Sequence, residues 1–176
     1  MQSEIYTPKD GFPYYFNLVK DKDLHTLFSS MSTYTFLKSI DEEKAAYRYE
    51  PDKWSIKQLV GHITDHERIK MFRAFQLSRN EKVQLWGYDQ EFLIENSHFD
   101  DLKMSLLVGD FLNVRKASLS FIETLSESQL KKTGWARQYE ITLENFLKSI
   151  IGHEIHHLNI IKTKYLHNES NYGSIF

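Results

Sequence analysis

Apolar residues recur along this chain at the three- and four-residue intervals of amphipathic helices, and four long stretches carry the pattern. The first covers residues 16–40, with Leu24, Leu27, Phe28, Met31 and Tyr34 on one face. Residues 41–53 are polar and read as a connection. The second stretch opens after Ser55, an N-cap candidate with Gln58 placed to close a capping box. Its stripe is Leu59, His62, Ile63, His66 and Ile69, and it is predicted to end near Arg79 and Asn80. Residues 81–100 have no firm period and contain Trp86, Gly87 and Tyr88. They are expected to form a long loop with one short helix, a kind of segment that often covers a site. The third stretch spans residues 101–125, with Leu107, Phe111, Val114, Ser118, Phe121 and Leu125 on one face. A connection through Gly134 and Trp135 leads to the fourth, which starts near Thr142 and runs to about His167. Its inner stripe is Phe146, Ile150, His153, His157 and Ile160. Pro51 is the last of the three prolines, so no strong helix breaker follows it. The expected fold is all-α: one four-helix bundle over residues 1–176, with a long loop between the second and third helices.

Composition removes several function classes. Hydrophobic residues make up 41% and charged residues 26%, the balance of an ordinary globular domain. The formal net charge is -2 and no basic cluster appears, so nucleic-acid binding has no electrostatic support. There are no cysteines, which excludes disulfides, thiolate metal sites and a cysteine nucleophile. Residues 1–11 lack the apolar run of a signal peptide, and no stretch approaches the ~18 apolar residues of a membrane span. A cytoplasmic protein with no membrane partner is expected.

Candidate chemistry lies in the histidines. Two pairs are spaced four apart, His62/His66 and His153/His157, and both lie on the apolar stripe of their helix. Such spacing turns two rings to one helix face, and two imidazoles so placed can share a metal ion at about 2.0–2.1 Å each. A metal between facing helices would give each buried ring a partner; hydrogen-bonded core histidines are the other reading of the same pattern. The run His153-Glu154-Ile155-His156-His157 also satisfies the H-E-x-x-H pattern of zinc peptidases. That reading wants a third ligand downstream, but Ile160 and Thr163 stand at the places of the metzincin glycine and histidine. Glu169 is the only later glutamate.

Three segments carry a family resemblance. Trp54-Ser55, the run Gly61-His62-Ile63-Thr64-Asp65-His66-Glu67-Arg68, and Phe72-Arg73-Ala74 resemble the second helix of the DinB-like (damage-inducible) metal-dependent bundle superfamily. Phe111-Leu112-Asn113-Val114-Arg115 resembles its third helix, and Gly152-His153-Glu154-Ile155-His156-His157-Leu158 its last. The resemblance implies a four-helix bundle holding one divalent ion, zinc or nickel foremost, on His62, His153 and His157. It further implies a small-molecule substrate, a low-molecular-weight thiol as co-substrate in some members, and a homodimer. His66 stands where the family is variable, and is open to the roles of fourth ligand, proton carrier or core residue.

Three functions follow as expectations: transfer of a thiol to an electrophile, metal-dependent hydrolysis, and a non-catalytic metal-binding dimeric bundle. His66 and Glu154 are the candidate catalytic groups. Glu154 could orient a ring nitrogen or lie in solvent. Arg73 and Arg115 are the candidate anchors for a substrate carboxylate, with ion pairing to Asp65 or Asp110 as the alternative. His156 is expected at the periphery or at a helix interface. Asp65 and Glu67 are expected to make surface or interhelical pairs.

Overall fold

A computed structural model describes residues 6–79, 84–85 and 87–166. Three long helices carry the bundle: α5 (Ile56–Arg79), α7 (Met104–Glu123) and α9 (Leu143–Ile160). All three start near the predicted points, and α5 and α7 also stop near them. Ser55 and Gln58 form the expected capping box, each accepting from the other's backbone N–H at 3.0 Å. Thr142 caps α9 by accepting from Asn145 N. A π-helical turn, Ile161–Tyr165, continues α9. The predicted ends at Asn80 and His167, and Trp86 with them, fall outside the described residues.

The fourth position of the bundle is filled in pieces. In place of one helix over residues 16–40 there are three, α1 (Phe12–Asn17), α2 (Leu24–Ser29) and α3 (Ser32–Lys38), and then α4 (Glu42–Ala46) in the predicted connection. Side-chain chemistry explains the breaks. Asp23 accepts from Thr26 N at 2.8 Å and restarts the chain as α2. Ser30 is extended, with ψ of 130°, and its hydroxyl accepts from Ser32 N. Short hydroxyl side chains compete with the helical hydrogen bonds in this way. Burial along the stripe changes at the break: Leu24, Leu27 and Phe28 are buried, Met31 is exposed and Tyr34 is half-buried.

The sequence pattern gave no sign of a three-stranded sheet. β2 (Thr133–Ala136) and β3 (Tyr139–Thr142) form an antiparallel hairpin, and β1 (Gln84–Leu85) runs parallel to β2. Strands of two to four residues are too short to display a two-residue period. The hairpin leads straight into α9. The rest of the long connection between α5 and α7 holds α6 (Gln90–Glu95), and α8 (Glu127–Leu130) follows α7.

The apolar interior forms two clusters. One gathers Leu27, Phe28, Leu77, Phe146 and Ile150, the other Leu37, Ile56, Ile63, Phe111 and Leu158. Between them lies a buried polar layer: His62, His66 and Glu67 from α5, Arg115 and Ser118 from α7, His153, Glu154 and His157 from α9, and Thr33 from α3. On α7 the inward position is Arg115 rather than Val114, which is half-buried. Among the described residues no helix is long and apolar enough to cross a membrane.

Candidate metal centre

Within this polar layer the Nε2 atoms of three histidines converge. Those of His62 and His157 each lie 3.1 Å from Nε2 of His153, and one ligand atom from each ring falls within 4.8 Å of the others. Two nitrogens on a tetrahedral ion at 2.0–2.1 Å would stand about 3.3 Å apart, so the spacing suits a shared cation. Among the described residues this is the one such group of ligating side chains.

The protons argue the same way. Burial holds His62 down to about 4 and His153 and His157 well below the ordinary imidazole value, so all three rings are neutral at neutral pH. A neutral ring has one lone pair to offer a cation. With the three lone pairs at Nε2, the protons sit on Nδ1, and Nδ1 of His153 and of His157 is buried with no hydrogen-bond partner. A metal-ligating histidine usually donates that proton to an oxygen. The rings are flanked by aromatic side chains. Tyr15 sets its ring edge-on to His153 with centroids 5.0 Å apart, His66 stacks on the other side at 3.6 Å and 9°, and Trp54 lies 4.9 Å from His62.

His66 stands beside the group of three rather than in it. Its Nδ1 lies 2.7 Å from the Tyr88 hydroxyl, and its ring forms part of the cavity wall. Burial first, then the charge of Lys70, hold its pKa well below the ordinary value. The cavity has a volume of about 400 Å³ and reaches His153. Its walls come from the start of the chain, Tyr15, Tyr88, Lys70, Phe146 and the hairpin residue Arg137.

Two expectations are corrected. Arg115 is not an anchor open to a substrate, nor is it paired with Asp65 or Asp110. It is buried between two carboxylates, donating from Nε and Nη2 to Glu67 at 2.9 to 3.2 Å and from Nη2 to Glu154. Burial opposes its charge, but Glu154 and Glu67 together more than offset that and hold the proton more firmly. Glu154 is therefore not a solvated side chain, and no histidine nitrogen is bound to it. It also accepts from Thr33 Oγ1 at 2.5 Å. Burial raises its pKa against the pull of Arg115. Asp65 and Asp110 both hold Arg68 at the surface.

Arg73 lies behind the cavity wall, its guanidinium 5.8 Å from the Tyr88 ring centroid and Nη2 3.4 Å from the Gly87 carbonyl. His156 sits at a helix interface, with Nδ1 3.3 Å from the Tyr14 hydroxyl. Tyr15, Lys70 and Arg137 escaped the sequence reading, whereas Tyr88 lies in the segment expected to cover a site. Of the first three only Lys70 left a signal, since His62, His66 and Lys70 follow one another at four-residue steps along α5.

The comparisons with known proteins agree with this geometry. A protein of Oceanobacillus iheyensis named "putative metal-dependent hydrolase" is 28% identical over 150 residues, 80% of this chain and 84% of that protein. YfiT of Bacillus subtilis, described as "a probable metal-dependent hydrolase with an unusual four-helix bundle topology", shares the fold. Its TM-score is 0.69 at 16% identity, over 95% of this chain and 91% of that one. The sequence profile of the DinB superfamily matches residues 28–161, which include all three converging histidines, and the chain belongs to that superfamily.

Proposed function

We propose that the chain is a metal-dependent enzyme whose divalent ion is held by His62, His153 and His157, and that it transfers a low-molecular-weight thiol to an electrophile. The observation that carries this is the convergence of three neutral Nε2 atoms beside a cavity of about 400 Å³. A divalent ion there would supply charge that lowers the pKa of a thiol or water by several units.

The protein groups favour a nucleophile that needs little help in losing its proton. Glu154, the carboxylate a hydrolase would use as base, is bound to Arg115 and Thr33. His66 remains, in the tautomer whose Nδ1–H donates to the Tyr88 oxygen and leaves Nε2 as acceptor. Its lowered pKa makes it a weak base. A thiol starts near pKa 8.5 and water near 15.7, so the weaker base suits the thiol. In the transfer the sulfur bonds to the electrophilic carbon, the leaving group departs with its electron pair, and the thiol proton passes to His66 or solvent.

Hydrolysis is the second reading, favoured by the names of both relatives. A homodimer, which the resemblance implies, and a cytoplasmic location, expected from the sequence, remain parts of the proposal; light scattering tests the first.

The experiment is turnover of a panel of electrophiles and esters by protein purified without an affinity tag and loaded with zinc or nickel, with and without added thiols. Thiol-dependent turnover, lost with the metal in His153→Ala, is the expected result. Turnover that ignores thiol and falls about 10²-fold or more in His66→Gln selects hydrolysis. Absence of bound metal in wild type overturns both.

A further inference from the structure

The cavity beside the three histidines contains a cation that no carboxylate of the described residues answers. Lys70 is half-buried on the cavity side of α5, with its ammonium 5.4 Å from the centroid of the Phe146 ring. Arg137 faces the same cavity from the tip of the β2–β3 hairpin. Its backbone is left-handed, with φ of 55°, a conformation that costs a side chain of this size free energy. Nη1 of Arg137 donates to the Lys9 carbonyl at 3.1 Å, which uses one of the five N–H groups of the guanidinium.

The two carboxylates on the cavity wall have other work. Asp10 accepts from Thr7 N and Oγ1 at 2.7 and 2.8 Å, and Asp89 accepts from Phe92 N at the start of α6. Neither forms an ion pair with Lys70 or Arg137. Lys70 therefore faces the cavity without a paired carboxylate, whereas Arg137 is exposed and close enough to Asp10 for their charges to interact; an unpaired, half-buried ammonium costs stability unless something anionic enters. Lys70 registers that cost: burial, then the charges of Arg73 and Arg137, lower its pKa to about 8.

We infer that this cavity is an anion subsite, in which Lys70 and Arg137 hold a carboxylate or phosphate group of the ligand beside His66 and His153. The direction of the ligand's reactive end toward His153 rests on the metal-centre reading. The anion subsite does not, because neither cation touches the three ligating rings.

The probes are succinate and inorganic phosphate, titrated calorimetrically at neutral pH and about 50 mM salt, where screening is modest. The proteins are wild type with and without metal, His62→Ala, Lys70→Met, Lys70→Arg and Arg137→Gln. One probe is expected to bind wild type and His62→Ala alike, and Lys70→Arg nearly as well. Binding should weaken about tenfold or more in Lys70→Met and in Arg137→Gln, with circular dichroism confirming that each is folded. Preference for succinate identifies a carboxylate and preference for phosphate a phosphoryl group. Equal binding by wild type, Lys70→Met and Arg137→Gln, or no binding of either probe, overturns the inference. If Lys70→Met does not fold, Arg137→Gln decides. Anion binding by a wild type that takes up no metal would retain the subsite and discard the metal centre alone.

Discussion

The backbone of Tyr15 rests against Gly152 so closely that a methyl group on Gly152 would come within 1.9 Å of the Tyr15 carbonyl oxygen. This contact seats α1 on α9 one residue before His153, and it sets the Tyr15 ring edge-on to that histidine. Backbone cannot rotate away as a side chain can. Gly152→Ala is therefore expected to cost about 3 kcal/mol or more and to loosen α1. Gly61→Ala meets only the ring of Phe99, at 2.4 Å, and that side chain can swing aside, so the loss there should stay near about 1 kcal/mol. Urea unfolding of both variants checks the order; equal losses would contradict it.

Metal removal should lower thermal stability. A ligand present at 100 times its Kd stabilises a fold by about 2.7 kcal/mol, and for a chain of this size each kcal/mol moves Tm by about 2–4 °C. Chelation is thus expected to lower Tm by roughly 5–10 °C in wild type and to leave His62→Ala unmoved. Calorimetric scans with and without chelator measure the difference.

The charge layer beneath the site should show unequal sensitivity. Arg115 stands between Glu67 and Glu154, all three nearly inaccessible to water. Arg115→Met strands two buried carboxylates together and is expected to cost about 3–5 kcal/mol. Glu154→Gln leaves one arginine with one carboxylate and removes a group that burial already biases toward its neutral form, so its cost should be about 1 kcal/mol. Denaturant midpoints of the two variants test this ranking.

Lys70 makes stability depend on pH. Its pKa is about 8 folded against about 10.5 unfolded, so between those values the unfolded chain holds more protons and stability rises with pH. Below pH 8 both states are protonated and the full cost of the charge is felt. Lys70→Met is expected to be more stable than wild type at pH 7, with the gap narrowing by pH 9.5. Paired urea melts at the two pH values measure it, and a gap that does not narrow would refute the assignment.

The apolar spacing on α5, α7 and α9, with the caps at Ser55 and Thr142, predicted three long helices because periodic burial and capping are local properties of sequence. The spacing of His153 and His157 put two rings on one face for the same reason, and the resemblance supplied His62 as their companion. The break at Ser30 was hidden, because the stripe through Leu24 and Phe28 runs on across it while the serine hydroxyls bond to nearby backbone.

Other features depend on groups far apart in sequence. Arg115 meets Glu154 only because α7 and α9 both pack against α5, with a turn of α7 that brings Arg115 rather than Val114 inward. Lys70 and Arg137 face one cavity only because a hairpin of eight paired residues brings its tip to the cavity that Lys70 lines from α5. Helical period and caps are set by neighbours within a few residues, so the chain alone determined the long helices and the histidine faces. The charge pairing, the stacking of His66 on His153 and the cavity depend on which faces meet in space, and only the tertiary structure decided that.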